Sequence, residues 1–307
     1  MTEFESCSIT HPIIRWNTDY NNVLDHAFEK TAAYIIRKNG STYEAISGNT
    51  GKIPFSNALY ATVIQACHDA LTSGGRIHHQ KGTYTALAQI NISNDKITVT
   101  GEGAASIIYC ASDILVFNVT GDNSLFRDLN FRSGHDPEVQ TLNRAIYGDN
   151  AAGVTIQNCL ITSTGNTTAW RIGFDFLSCT DIDISGCSGS GGNNAFGGRT
   201  CTRVNIHDNI GITSPTDNII DIGGTYLKIV NNVFPSASFV GWVGHTGTIN
   251  AVYIAANSSY VEVSDNYASL MQYQLVGVQS GCHYIEVCNN IAIECGTITG
   301  GEQGIRL

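Results

Sequence analysis

Along most of the chain a short apolar–x–apolar triplet alternates with a polar turn. It recurs at Ile97-Thr-Val99, Val154-Thr-Ile156, Ile182-Asp-Ile184, Val204-Asn-Ile206, Leu227-Lys-Ile229, Val261-Glu-Val263 and Ile285-Glu-Val287, with Ser124-Leu-Phe126 as a weaker member. An apolar period of two predicts strands with one buried face and excludes a helical solenoid. With the second apolar residue as reference, the repeats fall at 99, 126, 156, 184, 206, 229, 263 and 287, so the spacings are 27, 30, 28, 22, 23, 34 and 24. Repeats of 22–24 residues leave room for three short strands and three turns. Stacked in parallel, equivalent residues would lie about 4.8 Å apart.

Three further positions keep phase with the triplet. Two places after the reference stands a turn former: Gly101, Asp128, Asn158, Gly186, Asp208, Asn231, Asp265 or Asn289. These residues tolerate the left-handed backbone of a sharp corner. One place later come Cys159, Cys187, Asn209, Asn232, Asn266 and Asn290. Successive Asn at one repeat position predict a ladder of stacked amides. Five places before the reference, from the second repeat on, stand the small residues Gly121, Ala151, Cys179, Cys201, Gly224, Ser258 and Cys282. The expected fold is therefore all-β, a right-handed parallel β-helix of about eight to nine coils.

A second strand precedes each corner, as in Gly173-Phe-Asp-Phe176, Ile219-Ile-Asp-Ile222 and Ala251-Val-Tyr-Ile254. Gly304-Ile-Arg-Leu307 matches this strand in one further coil, which implies truncation, a covering partner, or an oligomer such as a trimer. At the other end, Ser56 is placed to cap a helix with Leu59, Val63, Cys67, Ala70 and Leu71 on one face, running to Gly74-Gly75. Ala33–Tyr43 predicts a hairpin turning at Asn39-Gly40. The chain thus divides into an N-terminal extension with this hairpin, 1–53, and the β-helix with its capping helix, 54–307.

Composition sharpens the picture. The 307 residues carry a net charge of −10, which argues against nucleic acid. An acidic surface also repels a polyanionic glycan unless Arg is locally concentrated. No apolar run has the length of a membrane span. The segment after Met1 lacks the pattern of a signal peptide, so the protein stays where it is made or its leader has been removed. Localisation stays open on sequence grounds, with an extracellular or virion surface favoured by the function argued below. The ten cysteines fall mostly at repeat positions and are expected to be reduced and buried. No His/Cys spacing indicates a metal site.

The helix, then Gly74-Gly75-Arg76-Ile77, Gly82-Thr83-Tyr84 and Gly101-Glu102-Gly103, resembles the opening of the pectate-lyase superfamily over about residues 54–307. That superfamily includes polysaccharide lyases, polygalacturonase-type hydrolases, epimerases and phage tailspikes. Within it, Thr216-Asp-Asn-Ile-Ile-Asp221 is similar to the Asn-Thr-Asp-Gly-Ile-Asp stretch of polygalacturonases. Gly244-His-Thr-Gly247 faintly echoes their Gly-His-Gly, and Ile305-Arg-Leu307 their Arg-Ile-Lys. The Asp-Asp pair of that family is missing, and Arg306 lies some two coils too far from His245.

By alternation, the second strand turns Phe174, Phe176, Ile220, Ile222, Val252 and Ile254 inward. The outward row is then Tyr147, Asp175, Gly197, Asp221, Tyr253, Gly277 and Arg306, flanked by Arg171, Arg199 and Asp217, with His245 in a nearby Gly-rich loop. Asp175 and Asp221 would stand roughly 9–10 Å apart, two strand steps, near the separation at which two carboxylates invert a glycosidic bond. Asp221, Asp175, Asp217 and His245 are the candidate catalytic residues. Arg171, Arg199, Tyr147, Tyr253 and Arg306 are the candidate contacts to a uronate-containing polysaccharide. The bland alternative is an ordinary strand surface of cross-strand pairs. His78-His79 is expected on the strand surface, and His207 outward on another side. Three functions stay open: a hydrolase, a lyase with Arg199 or Arg306 as base and Ca²⁺ on the Asp cluster, or a non-catalytic glycan-binding or fibre-forming β-helix. The hydrolase needs no cofactor.

Overall fold

The computed structural model describes residues 32–134, 142–163, 170–190, 194–213, 218–235, 250–269, 274–293 and 305–306. They form a right-handed parallel β-helix, and every expected repeat residue falls in register. Ile77 pairs with Val99, and the row continues through Phe126, Ile156, Ile184, Ile206 and Ile229 to Val263 and Val287. The end strands sit in unfinished turns, so about seven turns are complete, slightly fewer than expected. The large sheet has 19 strands and carries both the reference row and the strand before the corner. Two smaller sheets, of six and three strands, close the remaining side.

The corner two places after the reference is left-handed in seven of its eight residues. Asp128, Asn158, Asp208, Asn231, Asp265 and Asn289 have φ between 53 and 57°, and Gly186 has 63°. Gly101 is the exception: its φ is not positive, and a Cβ there would press on Asp128 O at 2.7 Å. Two more left-handed rows stand three and six places before the reference. The first carries Lys96, Asn123, Gly153, Asp181, Arg203, Tyr226, Tyr260 and Tyr284, the second Asn150, Ser178, Thr200, Asn257 and Gly281. Their side chains are too varied to show as a pattern in the sequence.

Behind the corner the amide ladder is complete. Asn209 Nδ2 donates to Asn232 Oδ1 at 2.9 Å, Asn232 Nδ2 to Asn266 Oδ1 at 3.0 Å, and Asn266 Nδ2 to Asn290 Oδ1 at 2.9 Å. Each of these acceptor oxygens also takes the backbone N–H of the residue that donates to it. Each Nδ2 of the ladder reaches back to a strand carbonyl as well, such as Asn232 to Ile206 O at 2.9 Å. Buried amides are thereby satisfied in a place where an unpaired one would be costly.

Aromatic rings fill the middle of the core. Phe117, Phe131, Phe174 and Phe196 form a chain of contacts that ends in a stacked pair, Phe174 and Phe196, with centroids 5.6 Å apart. The eight described cysteines are free, six of them buried. Burial pushes the Cys67 and Cys187 thiols up to about 12 and those of Cys110 and Cys179 up to about 11.

The N-terminal cover differs from expectation in detail. The hairpin forms, Tyr34–Asn39 against Thr42–Ser47, and its first strand runs parallel to Gly75–His79. Ser56 caps nothing: it lies in the strand Phe55–Asn57, and the helix runs Tyr60–Ala70 without a side-chain cap. The chain turns into the helix through Asn57, whose Oδ1 accepts the N–H of Leu59 at 2.9 Å. Val63, Ile64 and Cys67 face the core, whereas Leu59 and Ala70 are exposed. His78 and His79, expected on the strand surface, are both buried: their strand pairs with the first hairpin strand, and His79 meets Tyr60 of the helix. The His79 ring bonds Tyr60 Oη at 2.9 Å and Thr100 O at 3.1 Å, and burial lowers its pKa to about 3. The Gly82-Thr83-Tyr84 motif serves this cap, for Tyr84 Oη donates to Ile36 O and Gln80 O.

The ladder predicts a graded cost. Asn232→Ala leaves bonded groups orphaned on both neighbouring coils and should destabilise by about 1–3 kcal/mol. Asn290→Ala, at a half-buried rung, should cost visibly less. Urea midpoints of both variants test this, and equal losses would contradict it.

Candidate functional site

The outward row stacks as alternation required. Tyr147 pairs with Asp175, Asp175 with Gly197, Gly197 with Asp221, Asp221 with Tyr253, Tyr253 with Gly277, and Gly277 with Arg306. Its inward partners, from Phe174 to Ile254, are buried without exception. The row thus stands on a rigid floor, which holds a constellation better than a loop does.

A cleft of about 180 Å³ opens on this row. Tyr147, Arg171, Asp175, Gly197, Arg199 and Asp221 line it, so six residues singled out in the sequence come together. Tyr253 is the next step on the row, outside the lining. Arg306 is placed by its backbone register alone. Asp217 and His245 lie outside the described residues. Gly197 leaves the gap between the carboxylates, because a Cβ there would stand 2.9 Å from Asp175 Oδ1.

Arg144, also in the lining, was not expected. Its Nε donates to Asp175 Oδ2 at 2.6 Å, and its guanidinium lies 5.3 Å from the Tyr147 ring centre. Both partners of the ion pair are largely buried, 16% and 13% exposed in their side chains. Such a charge-assisted bond positions the carboxylate. Burial, and then Asp149 and Asp175, raise the Tyr147 phenol, which keeps it a neutral donor. Strict alternation counted back from Tyr147 turns Arg144 inward. In the structure Ala145 and Ile146 are both buried, and this break in parity returns Arg144 to the outer face.

The stretch ending at Asp221 divides between structure and chemistry. Asn218 is 5% exposed and belongs to a second amide ladder. Asn250 Nδ2 donates to its Oδ1 at 2.8 Å, and Asn194 Nδ2 to its carbonyl at 2.8 Å. Ile219 and Ile220 are core. Of the described part of the motif, Asp221 alone reaches the cleft.

His207 faces outward on the reference strand, as expected, between two carboxylates. Its Nδ1 meets Asp208 Oδ2 at 2.6 Å and its Nε2 meets Asp183 Oδ1 at 3.2 Å. This cluster is apart from the cleft and joins neighbouring coils, with Asn231 bonding Asp208 from the next.

The fold and this face define a right-handed parallel β-helix with an arginine-rich, carboxylate-bearing cleft on one sheet. Among solved structures, the fold matches the pectin methylesterase from Aspergillus niger in deglycosylated form, at 17% identity and a TM-score of 0.51, covering 80% of this chain and 86% of that one. An alginate lyase from Paenibacillus sp. str. FPU-7 aligns at 12% identity, with 80% and 95% covered and a TM-score of 0.43. The Dettilon tailspike protein gp208 aligns at 11% identity, with 76% and 58% covered and a TM-score of 0.42. No protein-family model and no curated sequence matches the chain. Identities this low speak to the fold, and the chemistry rests on the site.

Two measurements test the charge pairs. Arg144→Gln strips the guanidinium from a largely buried carboxylate and should cost about 1–3 kcal/mol in urea unfolding. No loss would reduce the pair to a surface contact. For His207, burial lowers the pKa, but the bonds and charges of Asp208 and Asp183 outweigh it and raise the pKa above the ordinary 6.5. The stability this gives is whole below 6.5 and is lost as pH rises through the folded-state value. His207→Gln should flatten the melting-temperature profile above pH 6.5, and an unchanged slope would contradict the assignment.

Proposed function

We propose that this protein binds an acidic polysaccharide along the outward row and cleaves it by acid–base hydrolysis in the cleft. The observation that carries this reading is the in-register row of Tyr147, Asp175, Gly197 and Asp221 with Arg144, Arg171 and Arg199 around it. On a chain of net charge −10, three arginines in one cleft are a local positive patch suited to uronate carboxylates. Asp175 and Asp221 stand two strand steps apart, roughly 9–10 Å, with the Gly197 gap for a sugar between them. Arg144 holds Asp175 by Oδ2 and leaves Oδ1 toward the Gly197 gap, so Asp175 takes the part of base, Oδ1 accepting the proton of the attacking water, and Asp221 that of proton donor to the leaving oxygen. Tyr147 and Tyr253 flank the gap along the row and offer rings for sugar stacking. Asp217 and His245 remain proposed contributors from the neighbouring loops, and Arg306 a proposed contact further along. Such a substrate fits an extracellular or virion-surface setting.

A second reading is favoured by Arg199, whose guanidinium has no hydrogen bond or ion pair among the described residues. In a polysaccharide lyase its side chain, having first lost a proton to solvent, would as neutral guanidine take the α-proton of a uronate whose carboxylate the other arginines neutralise. The donor set speaks against Ca²⁺ here, because Asp175 already holds a guanidinium and the lining is rich in arginine.

Asp221→Asn keeps shape and removes the proton donor, so turnover should fall on the order of a hundredfold or more while the fold survives. The assay is reducing-sugar release from pectic, alginate and neutral glycans, run beside ultraviolet absorbance for unsaturated products. Absorbance appearing together with the new ends, and lost in Arg199→Lys, assigns the lyase. Full activity of Asp221→Asn removes that residue from the mechanism. Binding without cleavage by the intact protein makes this a glycan-binding β-helix.

A further inference from the structure

One coil is cut short at the bend that follows the cleft. Between the paired positions Gly198 and Thr202 the preceding coil carries Arg199, Thr200 and Cys201. The facing coil spans the same bend, from Ile222 to Thr225, with Gly223 and Gly224 alone. The following coil, from Ile254 to Ser259, needs four residues, Ala255 to Ser258. A short coil between two longer ones leaves a notch whose floor has no side chains. The glycines are required there. A Cβ on Gly224, at φ +149°, would stand 1.9 Å from Cys201 O, and one on Gly223 would stand 2.9 Å from the Ala255 Cβ. The irregular pairing is a bulge of the kind that re-aims side chains beside binding sites.

The notch has a volume of about 480 Å³ and meets the cleft at one residue, Arg199, which lines both. Its character differs from that of the cleft. The lining offers hydroxyls of Thr200, Thr202 and Thr225 and the amides of Asn257 and Gln279, and Arg199 is its one charged side chain. Gln279 Oε1 accepts the N–H of Ala256 at 2.9 Å, which fixes that amide in place. Neutral donors and acceptors around a side-chain-free floor suit a neutral, hydroxyl-rich ring better than a second carboxylate.

We propose that this notch is a second subsite, which takes a neutral sugar residue joined to the acidic one held in the cleft, with Arg199 touching both. The proposal rests on the cleft holding an acidic sugar. It makes the preferred substrate a polysaccharide of mixed acidic and neutral residues. A polyuronate would fill the cleft alone.

The test compares glucuronic acid with the aldobiuronic acid in which glucuronate is linked to glucose, by NMR titration of the full chain. The disaccharide should bind on the order of tenfold tighter or more, as added contacts in a preformed site do. Ala256 is exposed and outside the cleft lining. Ala256→Trp fills the notch and should abolish that gain while glucuronate binds as before. Equal affinity of the two sugars, or a disaccharide gain that survives Ala256→Trp, overturns the notch and leaves the cleft untouched. Glucuronate binding that is undiminished in Arg171→Ala overturns the cleft instead. Failure of both sugars to bind overturns both.

Discussion

Hydrogen bonding between successive parallel coils, in register along the stacked strands, is the constraint on which everything else rests. Each strand finds its backbone partners on the coil before and the coil after it. A slip of one residue would turn every core side chain out and every surface side chain in. The asparagine ladder holds that register from within. Its side chains donate to carbonyls and accept N–H groups on adjacent coils, so a slipped strand would bury unsatisfied amides. Specificity of pairing thus comes from polar groups set inside an otherwise apolar core.

With register fixed, surface shape follows from how many residues each coil spends at its bends. The left-handed positions recur at the same places in successive coils, and they turn the chain sharply enough to return it over itself. Where neighbouring coils spend unequal numbers, the wall opens. The notch at Gly223-Gly224 is of this kind, whereas the gap at Gly197 is a missing side chain on a strand that stays in register. The cleft's chemistry is laid over this relief. Arginines from three coils converge on two carboxylates, on a protein whose overall charge is strongly negative. An ion pair between neighbouring coils, Arg144 with Asp175, then orients a group the chemistry would use. Sharing of Arg199 between cleft and notch joins charge recognition to shape recognition in one groove.

The sequence by itself determined the fold, its register and the composition of the outward row. Period-two triplets, corner Asn and Asp, and the stacked Asn are local properties, and each repeats often enough to be counted. Six lining residues of the cleft were legible because alternation along a strand decides which side chains face out. Other features were decided only by tertiary structure. His78 and His79 are both buried because their strand pairs with a hairpin from earlier in the chain and His79 meets Tyr60 of the helix, long-range contacts that the local sequence does not announce. Arg144 reaches Asp175 because Ala145 and Ile146 are both buried within one strand, breaking the parity on which the reading depended. Asn218, within the stretch most similar to a catalytic motif, is held by amide bonds across coils and serves the frame. The notch exists in no single coil. It is a difference in length between neighbours, and a difference between segments far apart in sequence becomes a shape only when the coils are stacked.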